Sequence, residues 1–244
     1  MPRHADRAAD ALRPLDFDLS PPSLAHGAVL VSMGQTTVLC TCSVEPAVPE
    51  FRVGSGKGWL TAEYNMLPGS TLPRKARDRG GKVDGRSVEI QRLIGRALRT
   101  IVDFEKLGER TLWVDCDVLR ADGGTRTACI NGAMLALVAA LAAQRSTLPH
   151  PPRELIKGLV AAVSVGLVNE EILLDLDYRE DRVAAVDLNV VMTDRGQFIE
   201  VQAGGEEATF TPSQLGQMLS LGEQGIARII AAQQAVLAAH ESLD

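Results

Sequence analysis

Aromatic residues are scarce. The 244 residues include two tryptophans, two tyrosines and five phenylalanines, 4% in all. A surface that holds single-stranded bases by repeated stacking has little to build with here. Cysteine is nearly as rare. Cys40, Cys42, Cys116 and Cys129 form no Cys-x-x-Cys pair and no Cys/His spacing suited to zinc. Disulfide-knotted and zinc-ribbon scaffolds are therefore excluded, and the four read as small core residues with free thiols. His4, His26, His150 and His240 are scattered through termini and loop-like stretches and read as surface groups. The longest apolar run, Ala133 to Ala143, is short of the ~18–20 residues that span a bilayer. Residues 1–20 carry four aspartates and no apolar core, unlike a secretory signal, so a cytoplasmic location is expected. What remains is an ordinary globular composition, 45% hydrophobic and 23% charged.

The charge is unevenly spread. The net charge of −6 argues against a general nucleic-acid binder. Yet Arg74, Lys75, Arg77, Arg79, Lys82, Arg86, Arg92, Arg96 and Arg99 face only Asp78, Asp84 and Glu89 in one short window, which is +6; the rest of the chain carries −12. Concentrated positive charge on an acidic body suits a specific polyanion site. A solvated loop followed by an ordinary helix face accounts for the charge equally well.

Hydrophobic periodicity supplies the elements. Residues 28–44 give a hairpin around Met33-Gly34-Gln35-Thr36. A Gly-rich loop over 51–58 precedes a strand over 59–66, and 68–85 is a long aperiodic loop of the kind that is usually functional. Ile90, Leu93, Ile94, Ala97, Leu98 and Ile101 mark one buried helix face. A strand over 111–119, a tight turn at 121–124 and a helix over 125–143, apolar nearly all round, follow. The second half reads as strand, turn, strand over 158–178 and again over 183–201, then a long helix opened by Pro212. The expected architecture is α+β, with two similar halves (1–148 and 149–244) packed into a single domain.

Three stretches could carry chemistry. Asp122-Gly123-Gly124-Thr125-Arg126-Thr127 stands where a strand becomes a helix. Helix N-termini expose unpaired N–H groups that favour an anion, glycines let it approach, and Arg126 offers a fork suited to phosphate. The same residues also make a plain turn and cap. Asp175, Asp177, Glu180, Asp181 and Asp187 crowd strand ends, where carboxylates can hold Mg²⁺ or donate a proton, or simply solvate a loop. Phe51-Arg52 with Trp59 and Tyr64 could stack bases or pack in the core. Together the first two and the arginine track supply what displacement at phosphorus needs, positioning and neutralised oxygens.

These residues resemble the ribonuclease PH family of phosphate-dependent 3′ exoribonucleases. The likeness runs in order through Leu30-Val31-Ser32-Met33-Gly34, Gly54-Ser55-Gly56-Lys57-Gly58-Trp59, Thr61-Ala62-Glu63-Tyr64-Asn65-Met66-Leu67-Pro68, Glu89-Ile90-Gln91-Arg92-Leu93-Ile94-Gly95-Arg96, Ala121-Asp122-Gly123-Gly124-Thr125-Arg126-Thr127 and Asp187-Leu188-Asn189-Val190. The resemblance implies two related βαβ-type halves of the ribonuclease PH / ribosomal S5 domain 2-like fold, and a homohexameric ring. It implies that inorganic phosphate releases nucleoside diphosphates from transfer-RNA precursors, reversibly. It matches Arg86, Gly124, Thr125 and Arg126 to phosphate binding, and Asp181 and Asp187 to Mg²⁺ and acid catalysis. Arg74 and Arg77 match the RNA-binding loop, and Arg52 joins them as an expected RNA contact. Alternatives are an RNA-holding ring subunit without turnover and a metal-dependent hydrolytic nuclease. The chain departs from the pattern at Arg3-His4-Ala5-Asp6-Arg7, at Gly69, where an arginine is typical, and at Gln202-Ala203-Gly204-Gly205.

Overall fold

The structure is a computed structural model that describes residues 3, 6–77, 84–205 and 208–240. His4, Asp78, Arg79 and Lys82 lie outside the described residues. Strands β1 (Leu15–Asp18), β2 (Gly27–Met33), β3 (Thr36–Glu45), β4 (Trp59–Met66) and β5 (Thr111–Arg120) form one sheet in the order β1-β2-β3-β5-β4. Helices α1 (Gly85–Arg99) and α2 (Phe104–Leu107) connect β4 to β5, and α3 (Thr125–Ala143) follows. The second half runs α4 (Pro152–Leu155), β6 (Val160–Val168), β7 (Glu171–Leu174), α5 (Tyr178–Asp181), β8 (Val186–Thr193), β9 (Phe198–Gly205) and α6 (Pro212–Ala239), its sheet ordered β7-β6-β8-β9.

The predicted hairpin is β2–β3. Val29, Val31, Met33, Val38, Cys40 and Cys42 alternate inward and are buried. Gly34 turns the chain with φ +59°, a left-handed conformation that glycine adopts without strain. β4 pairs parallel to β5 through the α1 crossover, while the second sheet is antiparallel throughout. On α1 the predicted stripe is buried, and Asp84 caps the helix by accepting from the Arg86 N–H at 3.0 Å. α6 opens on Pro212 within a Thr211/Gln214 capping box and buries Met218, Ile226, Ile229 and Ile230. All four cysteines are buried free thiols, as the sequence indicated.

α3 packs against β2 and β3 on one side and β6 on the other. By length and composition it could cross a membrane, which the run-length reading did not anticipate, but 78% of its apolar window is buried inside the fold. β7 covers only Val165–Val168 of β6, so among the described residues the other half of that edge has no neighbouring strand. Side chains take its place. Buried Asn131 of α3 accepts from the Ala162 N–H (2.8 Å) and donates to the Ala162 carbonyl (2.9 Å), while Gln233 of α6 donates to the Val160 carbonyl (3.2 Å). Backbone polar groups that would otherwise be orphaned in the core are satisfied, and α3 is locked to the second sheet.

Candidate active site

β5 ends beside a turn built to hold the tip of α3. Gly123 (φ +75°) and Gly124 (φ +63°) are both left-handed. A Cβ on Gly123 would lie 2.6 Å from the backbone of Asp177, so only glycine lets the two halves touch here. The Thr36 hydroxyl donates to the Gly123 carbonyl (2.6 Å) and accepts from the Asp122 N–H (2.9 Å). The buried Arg13 guanidinium donates to the Asp122 carbonyl (2.7 Å). Among the described residues no side chain caps α3. The Ala128 N–H bonds the Gly124 carbonyl (3.0 Å), so the N–H groups of Thr125 to Thr127 precede the helical ladder. Such a tip, with its partial positive charge, is suited to an oxyanion.

Above that tip opens a cleft of ≈ 700 Å³. Its walls bring together Arg86, Gly124, Thr125 and Asp181, four of the predicted site residues, drawn from both halves. Thr125 exchanges a hydrogen bond with buried Tyr64 at 3.0 Å. Burial pushes the Tyr64 phenol up to about 12, against the Thr125 hydrogen bond and the weaker pull of Arg86 and Arg126. Arg126 is not on the cleft wall. Its Nη1 donates to Gln202 Oε1 at 2.6 Å and pairs with Glu89 at 3.3 Å. Asp187, half-buried, is the second residue of β8 and faces Gly204 of β9, where a Cβ would stand 3.7 Å from its Oδ1.

Asp175, Asp177 and Glu180 are held by arginines and backbone N–H groups. Asp175 is fully buried and accepts from the Arg13 backbone N–H (2.8 Å) and from Arg13 Nη2 (2.6 Å), with Arg7 at 3.6 Å. Burial works against the Arg13 charge, and Asp175 beside it outweighs that and raises the arginine above its ordinary value. Asp177 caps α5 by accepting from the Arg179 and Glu180 N–H groups. Glu180 accepts from Arg3 (2.6 Å) and Arg7 (2.9 Å). These three are neither solvated nor available to a metal. Among the described residues no group of three or more His, Cys, Asp or Glu is placed to hold one. The arginines that bind them were missed, although Asp177-Tyr178-Arg179-Glu180 carries a readable capping-box signature.

The predicted RNA contacts divide. Arg74 and Arg77 are exposed on the segment that leaves the cleft wall at Thr71 and Leu72. Lys75 ties that segment to the cap of α1 through Asp84 at 3.0 Å. Arg52 lies elsewhere, with its guanidinium over the Trp59 ring at 5.2 Å. Trp59 begins β4 and Met66 ends it beside the cleft, so Arg52 is roughly 20 Å away along the strand. Tyr64 is a core residue, and Trp59 is half-buried between Arg52 and Arg99.

The chain belongs to the 3′ exoribonuclease family, matching its domain 1 over residues 11–142 and its domain 2 over residues 158–225. It is 54% identical over 236 residues to ribonuclease PH of Rhodopirellula baltica, covering 95% of this chain and 96% of that one. To ribonuclease PH of Bacillus subtilis it is 53% identical over 239 residues, 96% of each. The fold is shared with rice Rrp46 (TM-score 0.76, 19% identity, 95% of this chain and 98% of that chain) and with a chain of the Archaeoglobus fulgidus exosome with RNA bound to the active site (TM-score 0.77, 20% identity, 92% and 89%). The activity implied by the sequence resemblance, phosphate-dependent removal of nucleotides from RNA 3′ ends, stands with the family.

Proposed function

We propose that this protein trims the 3′ ends of transfer-RNA precursors, with inorganic phosphate held between Arg86, the open tip of α3 at Gly124 and Thr125, and Arg126. The observation that carries the reading is one cleft lined by Arg86, an uncapped helix N-terminus and Asp181. A phosphate oxygen attacks the phosphorus of the terminal nucleotide. The bond from that phosphorus to the 3′ oxygen of the preceding nucleotide breaks, a nucleoside diphosphate leaves, and the shortened RNA takes a proton on its 3′ oxygen. Two anions must meet for this, and the guanidiniums and helix tip offset their repulsion. Asp187 stands as the acid at the leaving oxygen, with Asp181 beside the cleft. Reversal adds nucleotides from diphosphates.

Two carboxylates are too few for an all-protein cage but suit Mg²⁺, which commonly takes one or two carboxylates together with substrate phosphates. Asp181 and Asp187 would hold it, and it would supply charge neutralisation at the reacting oxygens. Arg74 and Arg77 would receive the RNA, whereas the distance of Arg52 from the cleft argues against a part for it near the reacting end. A homohexamer in the cytoplasm completes the proposal. The exposed β9 edge, with Phe198 and Val201 at the surface, supports a covered face.

The test is labelled RNA with a 3′ extension, incubated with and without phosphate, its products resolved as mono- or diphosphates. Diphosphates that appear only with phosphate are expected, and phosphate-independent monophosphates would overturn the reading. Arg126→Ala is expected to lose about 10²-fold or more in turnover at limiting phosphate while its unfolding midpoint stays within about 0.5 kcal/mol of the parent. An unchanged rate removes Arg126 from the site.

A further inference from the structure

Arg126 closes a triangle of polar contacts between three elements far apart in sequence. Its Nη1 donates to Gln202 Oε1 on β9 at 2.6 Å and to Glu89 Oε1 on α1 at 3.3 Å. Gln202 Nε2 donates to the same Glu89 oxygen at 3.0 Å. The amide can stand only one way round. Reversed, its NH₂ would face a guanidinium and its oxygen a carboxylate. Arg126 is little exposed, its side chain keeping 14% of its accessible surface, whereas Glu89 keeps 49%. Two features make the arrangement more than a surface ion pair. Glu89 sits one turn beyond Arg86 on α1, so one helix carries a cleft guanidinium and the carboxylate that holds a second guanidinium. β9 is also fixed to α1 a second time, through Arg96 and Glu200 at 2.6 Å, so Gln202 is presented from a strand tied at two points.

We propose that Glu89 and Gln202 are positioning residues that orient Arg126 for inorganic phosphate. The inference rests on the phosphate-site reading given above. Both contacts engage Nη1 and leave Nε and Nη2 as the guanidinium edge for the anion, a two-pronged geometry that a freely rotating arginine adopts only part of the time. Gln202 supplies the shorter bond and fixes orientation without charge. Glu89 fixes the amide of Gln202, and its negative charge opposes the incoming anion. The pair therefore acts on phosphate capture more than on the chemical step.

The test is steady-state phosphorolysis of a 3′-extended RNA with phosphate varied. Gln202→Ala is expected to raise the phosphate KM about ten-fold, as loss of one hydrogen bond to a charged group does, with kcat at saturating phosphate within about three-fold of the parent. Glu89→Ala is expected to raise the KM in the same direction. Glu89→Gln, which keeps an acceptor and discards the opposing charge, is expected to return the KM to the parental value or below it. Arg126→Ala is measured alongside. If it raises the phosphate KM while Gln202→Ala leaves it unchanged, the positioning inference fails and the phosphate site stands. If Arg126→Ala leaves the KM unchanged, Arg126 is no part of the phosphate site, and the positioning inference fails with it. Equal losses for Glu89→Ala and Glu89→Gln, or a fall in kcat without a change in KM, also overturn the inference. Unfolding midpoints of each variant separate these outcomes from a loss of fold.

Discussion

Asp175, Asp177 and Glu180 run almost directly into Asp181, yet the first three are buried and the last is exposed. The three are buried, and each is answered by an arginine or by backbone N–H groups. Asp181 is exposed on the cleft wall, and Asp187, a short turn later, is half-buried opposite Gly204. Carboxylates of one kind thus serve two ends according to what lies against them. Buried and paired, they fasten the N-terminal segment and the turn before α3 to the second half. Asp181, exposed on the cleft wall, is reached from solvent.

The largest effect that would test this division is expected for Asp175→Ala. It leaves Arg13 buried without its partner and should cost about 3–5 kcal/mol in chemical unfolding. Because Arg13 also holds the Asp122 carbonyl, phosphate affinity should fall with it. Asp187→Asn should do the reverse, lowering kcat about 10²–10⁴-fold with less than about 0.5 kcal/mol of stability lost. Comparable losses of stability from both variants would erase the distinction. The smallest effect concerns acid. Burial alone would raise the Glu180 carboxyl, but Arg3, the Asp177 N–H and Arg7 outweigh it and hold it below its ordinary value of 4.5. A depressed folded pKa contributes stability that is complete above the unfolded value. That stability drains away as pH falls below about 4.5 towards the folded one, because the unfolded chain takes up the proton first. Glu180→Gln should flatten this limb of the stability–pH curve, and an unaltered slope would assign the acid sensitivity elsewhere.

Much of this was legible in the sequence where the signal is local. The hairpin, the α1 stripe, the apolar α3 and the contiguous Asp122–Thr127 turn each declare themselves within one window. Arg86, Gly124, Thr125 and Asp181 line one cleft. What was hidden is pairing over distance. Arg3 finds Glu180 across 177 positions, Arg13 finds Asp175 across 162, and Gln202 finds Glu89 across 113. Nothing in the composition of either partner announces the other. β1 and α5 are four residues each, too short for a periodicity to emerge, and the sequence near Arg52 does not tell that its guanidinium lies over the Trp59 ring at the start of β4.

The Asn131 clasp on β6 has a consequence at the N-terminal tip of its helix. α3 cannot slide or tilt without stripping both polar groups of Ala162 in a dry interior. The amides at its tip therefore stay at a constant spot whether or not an anion is there, and none of the binding energy goes into drawing them inward. Loosening this one asparagine, about 9 Å along the helix from Thr125, should blunt the grip on phosphate and lower the melting temperature in the same stroke.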